Sequence, residues 1–173
     1  MRYLVIVRHA KASRAAPGES DFDRRLSGRG RHQCDVLRAW ASDVNSLGAY
    51  GPVTALVSSA QRTRETFHLA FEGSGFVSSV SFSDLIYNGQ RSVGAEDLLA
   101  DLAAIDPVTT SLLVVAHNPT VHELVAGLAH EVPEILGVRG YPLGGAFVLA
   151  LHDDQPIGLS RYPLVDQFIP EAV

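Results

Sequence analysis

The chain is expected to be an α/β protein, a three-layer α/β/α sandwich around a mostly parallel, mixed central sheet. Three observations lead there. The apolar runs YLVIV at 3–7, VTALV at 53–57 and LLVVA at 112–116 are short and uninterrupted, as strands buried on both faces require. Segments with apolar residues spaced by three and four separate them, so strands and helices alternate. At 46% hydrophobic residues, 173 residues suffice for one domain, spanning 1–173, that buries about 70% of its unfolded surface.

After the first run comes a polar loop, 11–26, containing Pro17-Gly18. Ser27 is placed to cap the next helix, whose buried face is written as Cys34, Leu37, Ala41, Val44 and Leu47, with Gly48 and Gly51-Pro52 ending it. The second strand follows at once. Residues 61–71 should form a helix with Phe67 and Phe71 on one face, and VSSVSF at 77–82 alternates weakly, as a short strand toward a sheet edge. Val93 to Ile105 carries Leu98, Leu99, Leu102 and Ile105 at helical spacing, with Asp106-Pro107 closing it. Pro119 suits the first turn of a helix whose inner face is Val121, Leu124, Val125 and Leu128. AFVLAL and the segment around IGLSRY read as a hairpin-like pair whose antiparallel members make the sheet mixed.

Composition narrows the class of function. A net charge of −5 argues against a nucleic-acid partner, whose footprint is a basic stripe on a basic domain. The one dense basic stretch, Arg24-Arg25 with Arg29 and Arg31, follows Glu19, Asp21 and Asp23, and reads either as a solvated loop and helix start or as a rim that docks an acidic partner. No apolar run approaches the roughly 20 residues of a bilayer span, so no membrane partner is expected. The lone cysteine, Cys34, reads as a buried helix residue; it excludes an intramolecular disulfide and a thiolate metal cluster, and fits a cytoplasmic location.

Chemistry gathers where the three apolar runs stop. The first ends at Arg8-His9, the second leads through Ser58-Ser59 to Arg62, and the third ends at His117-Asn118-Pro119-Thr120. Open parallel sheets bind ligands at the carboxyl ends of their strands. If these strands are neighbours, two arginines and two histidines meet there. A phosphoryl group carries about two negative charges and suits forked guanidinium donors, which Arg8 and Arg62 supply, with backbone amides at helix starts as further donors. A neutral imidazole at His9 can attack phosphorus if a backbone carbonyl or polar side chain holds its other N–H. His117, protonated beside a phosphate dianion, can donate to the phosphoryl oxygens. Such positioning and charge can carry phosphoryl transfer without a metal or other cofactor, and none is expected.

These residues carry a resemblance. Arg8-His9-Ala10-Lys11-Ala12 after an N-terminal strand resembles the RHG or RHAK signature of the histidine phosphatase superfamily, and the short chain is similar to its SixA-like phosphohistidine phosphatase branch. Ser58-Ser59-Ala60-Gln61-Arg62-Thr63-Arg64-Glu65-Thr66 is similar to the SPxxRAxQT segment, in a register that matches Arg62, not Arg64, to the phosphate-binding arginine. Val115-Ala116-His117-Asn118-Pro119 resembles the second-histidine motif, and Asp21 to Gly30 the DxxRxLxxRG stretch of the short branch. The resemblance implies a phosphoglycerate mutase-like fold, His9 as nucleophile, and Arg8, Arg62 and His117 as the phosphate pocket. Asn118 is a further candidate for phosphate binding, or for orienting His117 or capping a turn.

Larger members of that superfamily carry an acidic proton donor on inserted segments between the Arg62-like and His117-like positions. Here that region is short, and the available acids are Asp84, Glu96 and Asp97, with Asp84 the first choice and Asp97 behind it. Phosphorylated imidazole leaves readily once its nitrogen takes a proton. The expected function is therefore a metal-independent phosphatase that works through a covalent phosphohistidine on His9. Its substrate would be phosphohistidine in a protein or a small phosphorylated compound. The alternatives are a non-catalytic phosphoprotein-binding module, against which the intact His9 argues, and a phosphoglycerate mutase-like phosphotransferase.

Overall fold

The computed structural model describes residues 1–89, 92–105 and 111–170. Six strands, β1 (Arg2–Arg8), β2 (Val53–Ser58), β3 (Val77–Ser83), β4 (Ser111–Ala116), β5 (Ala146–Leu151) and β6 (Leu164–Phe168), form one sheet in the order β3-β2-β4-β1-β5-β6. The pairs β1 with β4, β2 with β4 and β2 with β3 are parallel, and β5 runs antiparallel to both β1 and β6. The three apolar runs are thus adjacent in the sheet, and the sheet is mixed. VSSVSF is the edge strand the weak alternation suggested.

Alternation along the strands sends side chains to two cores. Leu4, Ile6, Leu112 and Val114 pack with Leu98 and Leu102 of α3 (Ala95–Ile105) and Val121, Leu124 and Val125 of α4 (Thr120–Leu128). Val5, Val7, Val57, Leu113 and Val115 pack on the opposite face with Cys34, Leu37 and Ala41 of α1 (Gly28–Ser42) and Phe67, Ala70 and Phe71 at α2 (Gln61–Ala70). Helices α3 and α4 thus lie on one face and α1 and α2 on the other, which is the three-layer sandwich. Cys34 is fully buried, and burial pushes its thiol up to about 12.

Two elements differ from the sequence expectation. The α1 helix stops at Ser42, five residues before Leu47, because the Asp43 carboxylate accepts from the Asn45 amide and the Ser46 hydroxyl, closing a turn on itself. Val44 is consequently 74% exposed, while Leu47 is buried from a separate single-turn 3-10 helix, Leu47–Tyr50. IGLSRY is not the partner of AFVLAL. Gly158 adopts φ +94°, and Tyr162 is held by the end of α4, its amide donating to Leu128 O at 2.7 Å and its carbonyl accepting from His130 N at 2.9 Å. The pairing strand is the next segment, LVDQF. A short helix, α5 (Glu134–Val138), precedes β5 and escaped the sequence reading. Asp106-Pro107, expected to close α3, lies outside the described residues. No helix among the described residues is long and apolar enough to cross a membrane.

Candidate active site

The carboxyl ends of β1, β2 and β4 bring Arg8, His9, Arg62 and His117 together. His9 follows the last residue of β1, with its amide donating to Ala116 O, the end of β4, at 3.1 Å. Its Nδ1 lies 2.8 Å from Ala10 O, and its Nε2 lies 3.3 Å from Arg62 Nε. A carbonyl can only accept and a guanidinium can only donate, so both contacts require the proton on Nδ1 and the lone pair on Nε2. Burial, followed by the positive charges of Arg62, Arg8 and Arg24 and opposed by the bond to Ala10 O, lowers the His9 pKa from 6.5 to about 3. The ring is neutral at physiological pH.

The helix α2 begins directly after β2 because Thr63 Oγ1 turns back onto Ser58 O and Ala60 O at 2.6 and 2.7 Å. This puts Arg62 on the inner face of its first turn. Arg64 is exposed and points away from this cluster's histidines, its guanidinium 4.7 Å from the centre of the Phe82 ring. The first amide of α2, at Gln61, is already used by Phe22 O, contrary to its expected service as an anion donor. Thr66, one turn on, accepts from the Ala10 amide at 3.0 Å and ties α2 to the loop after His9.

His117 follows β4, its ring centre 5.2 Å from that of His9, and its Nε2 lies 2.7 Å from Ser58 Oγ. Arg8 donates through Nη1 to Tyr141 O at 2.6 Å, and burial pushes its guanidinium pKa down. Arg8 Nε, His117 Nδ1 and Asn118 Oδ1 are buried with no hydrogen-bond partner among the described residues. Buried polar groups are otherwise almost always paired, so these atoms mark a place for a polar ligand. Asn118 shows no side-chain bond to His117; Ser58 makes that contact. Burial first, then His9 and Arg62, lower the His117 pKa to about 2. The protonated His117 expected beside a phosphate dianion is thus not the form of the unliganded protein.

Sequence reading assigned Asp21 to a solvated loop or docking rim. It is instead part of the site: Arg62 Nη1 donates to Asp21 O at 2.8 Å, and Arg62 Nη2 to its Oδ2 at 3.1 Å. Tyr87 OH donates to the same Oδ2 at 2.7 Å, and Arg24 Nη1 to Oδ1 at 2.8 Å. Burial opposes ionisation of Asp21, but the Tyr87, Arg24 and Arg62 contacts outweigh it and hold its pKa at about 2. Three guanidinium groups against one carboxylate leave the site positive in a chain whose net charge is −5. The Tyr87 ring stands edge to face against His117 at 5.7 Å and Phe22 at 5.0 Å.

Phe22, Asp21, Tyr87 and Asp84 line a cleft of about 700 Å3 beside this cluster. Asp84 therefore reaches the cleft wall. Asp97 does not, since its Oδ2 accepts from Gly94 N at 3.1 Å at the start of α3, and Glu96 lines a separate groove against α4. Ser58, Asp21, Arg24 and Tyr87 are the residues that sequence reasoning missed. The match of Asp21 and Arg24 to the DxxRxLxxRG pattern was the available signal for two of them; nothing marked Tyr87. Among the described residues no group of three or more His, Cys, Asp or Glu side chains is placed to hold a metal ion.

Comparison with known proteins places the fold as a whole. A protein of Agrobacterium tumefaciens assigned as the phosphohistidine phosphatase SixA superposes with TM-score 0.77 at 30% identity, over 98% of this chain and 99% of its own. One from Nakamurella multipartitia with the same assignment superposes with TM-score 0.75 at 26% identity, over 99% and 97%. An uncharacterised protein of Mycobacterium leprae is 30% identical over 125 residues, 70% of each chain. No family model matches the sequence. The α/β sandwich and its likeness to these structures define a histidine phosphatase. The chain belongs to the SixA-like branch of the histidine phosphatase superfamily.

Proposed function

We propose that His9 Nε2 attacks the phosphorus of a phosphohistidine side chain carried by a protein. The P–N bond to the substrate imidazole breaks as the bond to His9 forms, and the departing ring takes a proton. Water then attacks phosphorus, releases inorganic phosphate and restores the free Nε2. The observation that carries this reading is the fixed tautomer of His9: Ala10 O on Nδ1 leaves an unprotonated nitrogen facing Arg62 inside a cluster of guanidinium groups. A site that only bound phosphate has no need of that lone pair.

Arg62 and Arg8 receive the phosphoryl oxygens, and His117 Nδ1 and the Asn118 amide supply further contacts. Arg62 Nε, which donates to the nucleophile in the free protein, transfers its hydrogen bond to oxygen as Nε2 is consumed. Arrival of a dianion raises the His117 pKa and turns Nδ1 into a donor while Ser58 Oγ supports Nε2. Asp21, pinned as a carboxylate by three donors, positions Arg62 and is a poor acid. That leaves Asp84, on the cleft wall, as the acid for the departing group. The Phe22 and Tyr87 rings suit a flat aromatic leaving group such as imidazole.

The test is incubation with a chemically phosphorylated histidine protein and, separately, with a small phosphate ester. We expect phosphate release from the protein substrate, an acid-labile phosphoenzyme in rapid quench, and loss of both in His9→Ala. Undiminished turnover by His9→Ala, or binding without any phosphate release by the unmodified chain, would overturn the assignment.

A further inference from the structure

A second groove opens beside the nucleophile, on the β5 and β6 side of the site. The loop that leads into β5 is stitched to the site's backbone. Gly144 N donates to both Arg8 O and His9 O at 3.1 Å, and Arg8 Nη1 reaches Tyr141 O. Between these anchors, Pro142 and Leu143 form one wall of a groove of about 230 Å3. Lys11, two residues past His9, forms part of the opposite side with Arg29 of the first turn of α1, and Arg139 stands at the end of α5.

All three cations are exposed, and no acidic side chain lines the groove among the described residues. None of them forms an ion pair with a described residue, whereas Arg24, Arg31 and Arg62 are each paired with Asp21 or Glu65. The clustering is unusual because the chain carries 19 acidic against 14 basic residues. Three cations with no ion-pair partner among the described residues repel one another around this groove, so a negatively charged occupant is the complement. The apolar walls, which include Ile135, Pro142, Leu143 and Ile169, favour an occupant with side chains to bury rather than a bare anion.

We propose that this groove docks an acidic, partly apolar stretch of the protein substrate next to its phosphohistidine. The proposal rests on the reading that the substrate is a protein. Lys11 links the two sites: its amide is fixed by Gln33 Oε1 at 2.9 Å, in the segment that carries the nucleophile, so a peptide whose phosphorylated ring enters at His9 continues past Lys11 into the groove. Arg29 and Arg139 set the specificity and take no part in the chemistry.

Two synthetic phosphohistidine peptides of equal length test this, one flanked by Asp, Glu and Leu and the other by Ser, Gln and Leu. The unmodified protein should favour the acidic peptide by about tenfold in kcat/KM, chiefly through KM, and the preference should shrink as salt is added. The double reversal Arg29→Glu with Arg139→Glu should abolish or invert the preference while leaving the neutral peptide within about twofold, which also shows the variant folded and its site intact. Equal kcat/KM for the two peptides, or a preference that survives the double reversal, would remove the docking role and leave the phosphatase reading standing. Hydrolysis of neither peptide by a protein that still releases phosphate from a small ester would remove the protein-substrate reading and the docking role with it.

Discussion

A backbone carbonyl and a guanidinium decide between them which nitrogen of His9 keeps its lone pair, and this constraint makes Arg62 more than a charge. Its three nitrogens reach His9 Nε2, Asp21 O and Asp21 Oδ2 at once. Lysine keeps the charge and loses the planar fork, so Arg62→Lys should lower kcat/KM by about a hundredfold or more with little change in stability, read by steady-state kinetics and thermal melting. A second prediction concerns protons. His117 is neutral in the free site, its pKa near 2, and a bound dianion should raise it. Tungstate binding at pH 6, followed by calorimetry in buffers of different ionisation enthalpy, should therefore show proton uptake that disappears in His117→Gln. Uptake of no protons by the unmodified chain would leave His117 neutral in the complex. That Arg8, His9, Arg62 and His117 meet was legible in the sequence because each lies at or just beyond the end of an apolar run and in a recognisable pattern. Ser58 and Tyr87 were not, because their contribution depends on which side chain they meet across loops far apart in the chain.

The loop after His9 is held by the start of α1 as much as by β1. Ser27 caps the helix through Gly30 N and also donates to Lys11 O, and the Ser27 amide reaches the same carbonyl at 2.9 Å. Gly30 lies so close that an added Cβ would fall 2.1 Å from Lys11 O, against backbone rather than a flexible side chain. Gly30→Ala should therefore destabilise by about 2 kcal/mol or more, roughly 4 to 8 °C in Tm, and should lower kcat as the loop after His9 shifts. A melting temperature unchanged from the parent would show that the loop yields at no cost. The helix's existence, start and buried face were legible from Ser27, Cys34, Leu37 and Ala41, but its end was not. Val44 and Leu47 continue the apolar spacing, and only the Asp43 side chain, turning onto Asn45 and Ser46, breaks the helix between them. The partner of β5 was misplaced by a related competition. IGLSRY is as apolar as LVDQF, but Tyr162 finds its hydrogen bonds at the end of α4.

Gathering two buried imidazoles among three guanidinium groups makes the whole molecule sensitive to acid. Folded, His9 and His117 have pKa values of about 3 and about 2, against 6.5 for the ordinary imidazole. Burial is the first cause in both, and neighbouring positive charge adds to it. Below pH 6.5 the unfolded chain takes up two protons that the folded chain refuses. The stability is fully present above pH 6.5 and is lost progressively as the pH falls toward 3. Well below 6.5 the loss approaches about 1.4 kcal/mol per pH unit for each ring, so about 3 kcal/mol per unit for the pair. Asp21, held at about 2 against 3.8, adds a loss of its own only at lower pH, so the histidines dominate between pH 6 and 4.5. Urea unfolding across that window should give a slope steeper by about two protons in the parent chain than in a His9→Gln, His117→Gln double variant. Saturating tungstate should flatten the parent's slope by up to one proton, because the anion lets His117 accept in the folded state the proton it otherwise takes only on unfolding. If the double variant and the tungstate complex both keep the parent's slope, the acid sensitivity resides in other groups. If both flatten, the two imidazoles buried at the proposed phosphoryl site are what limits the fold at low pH.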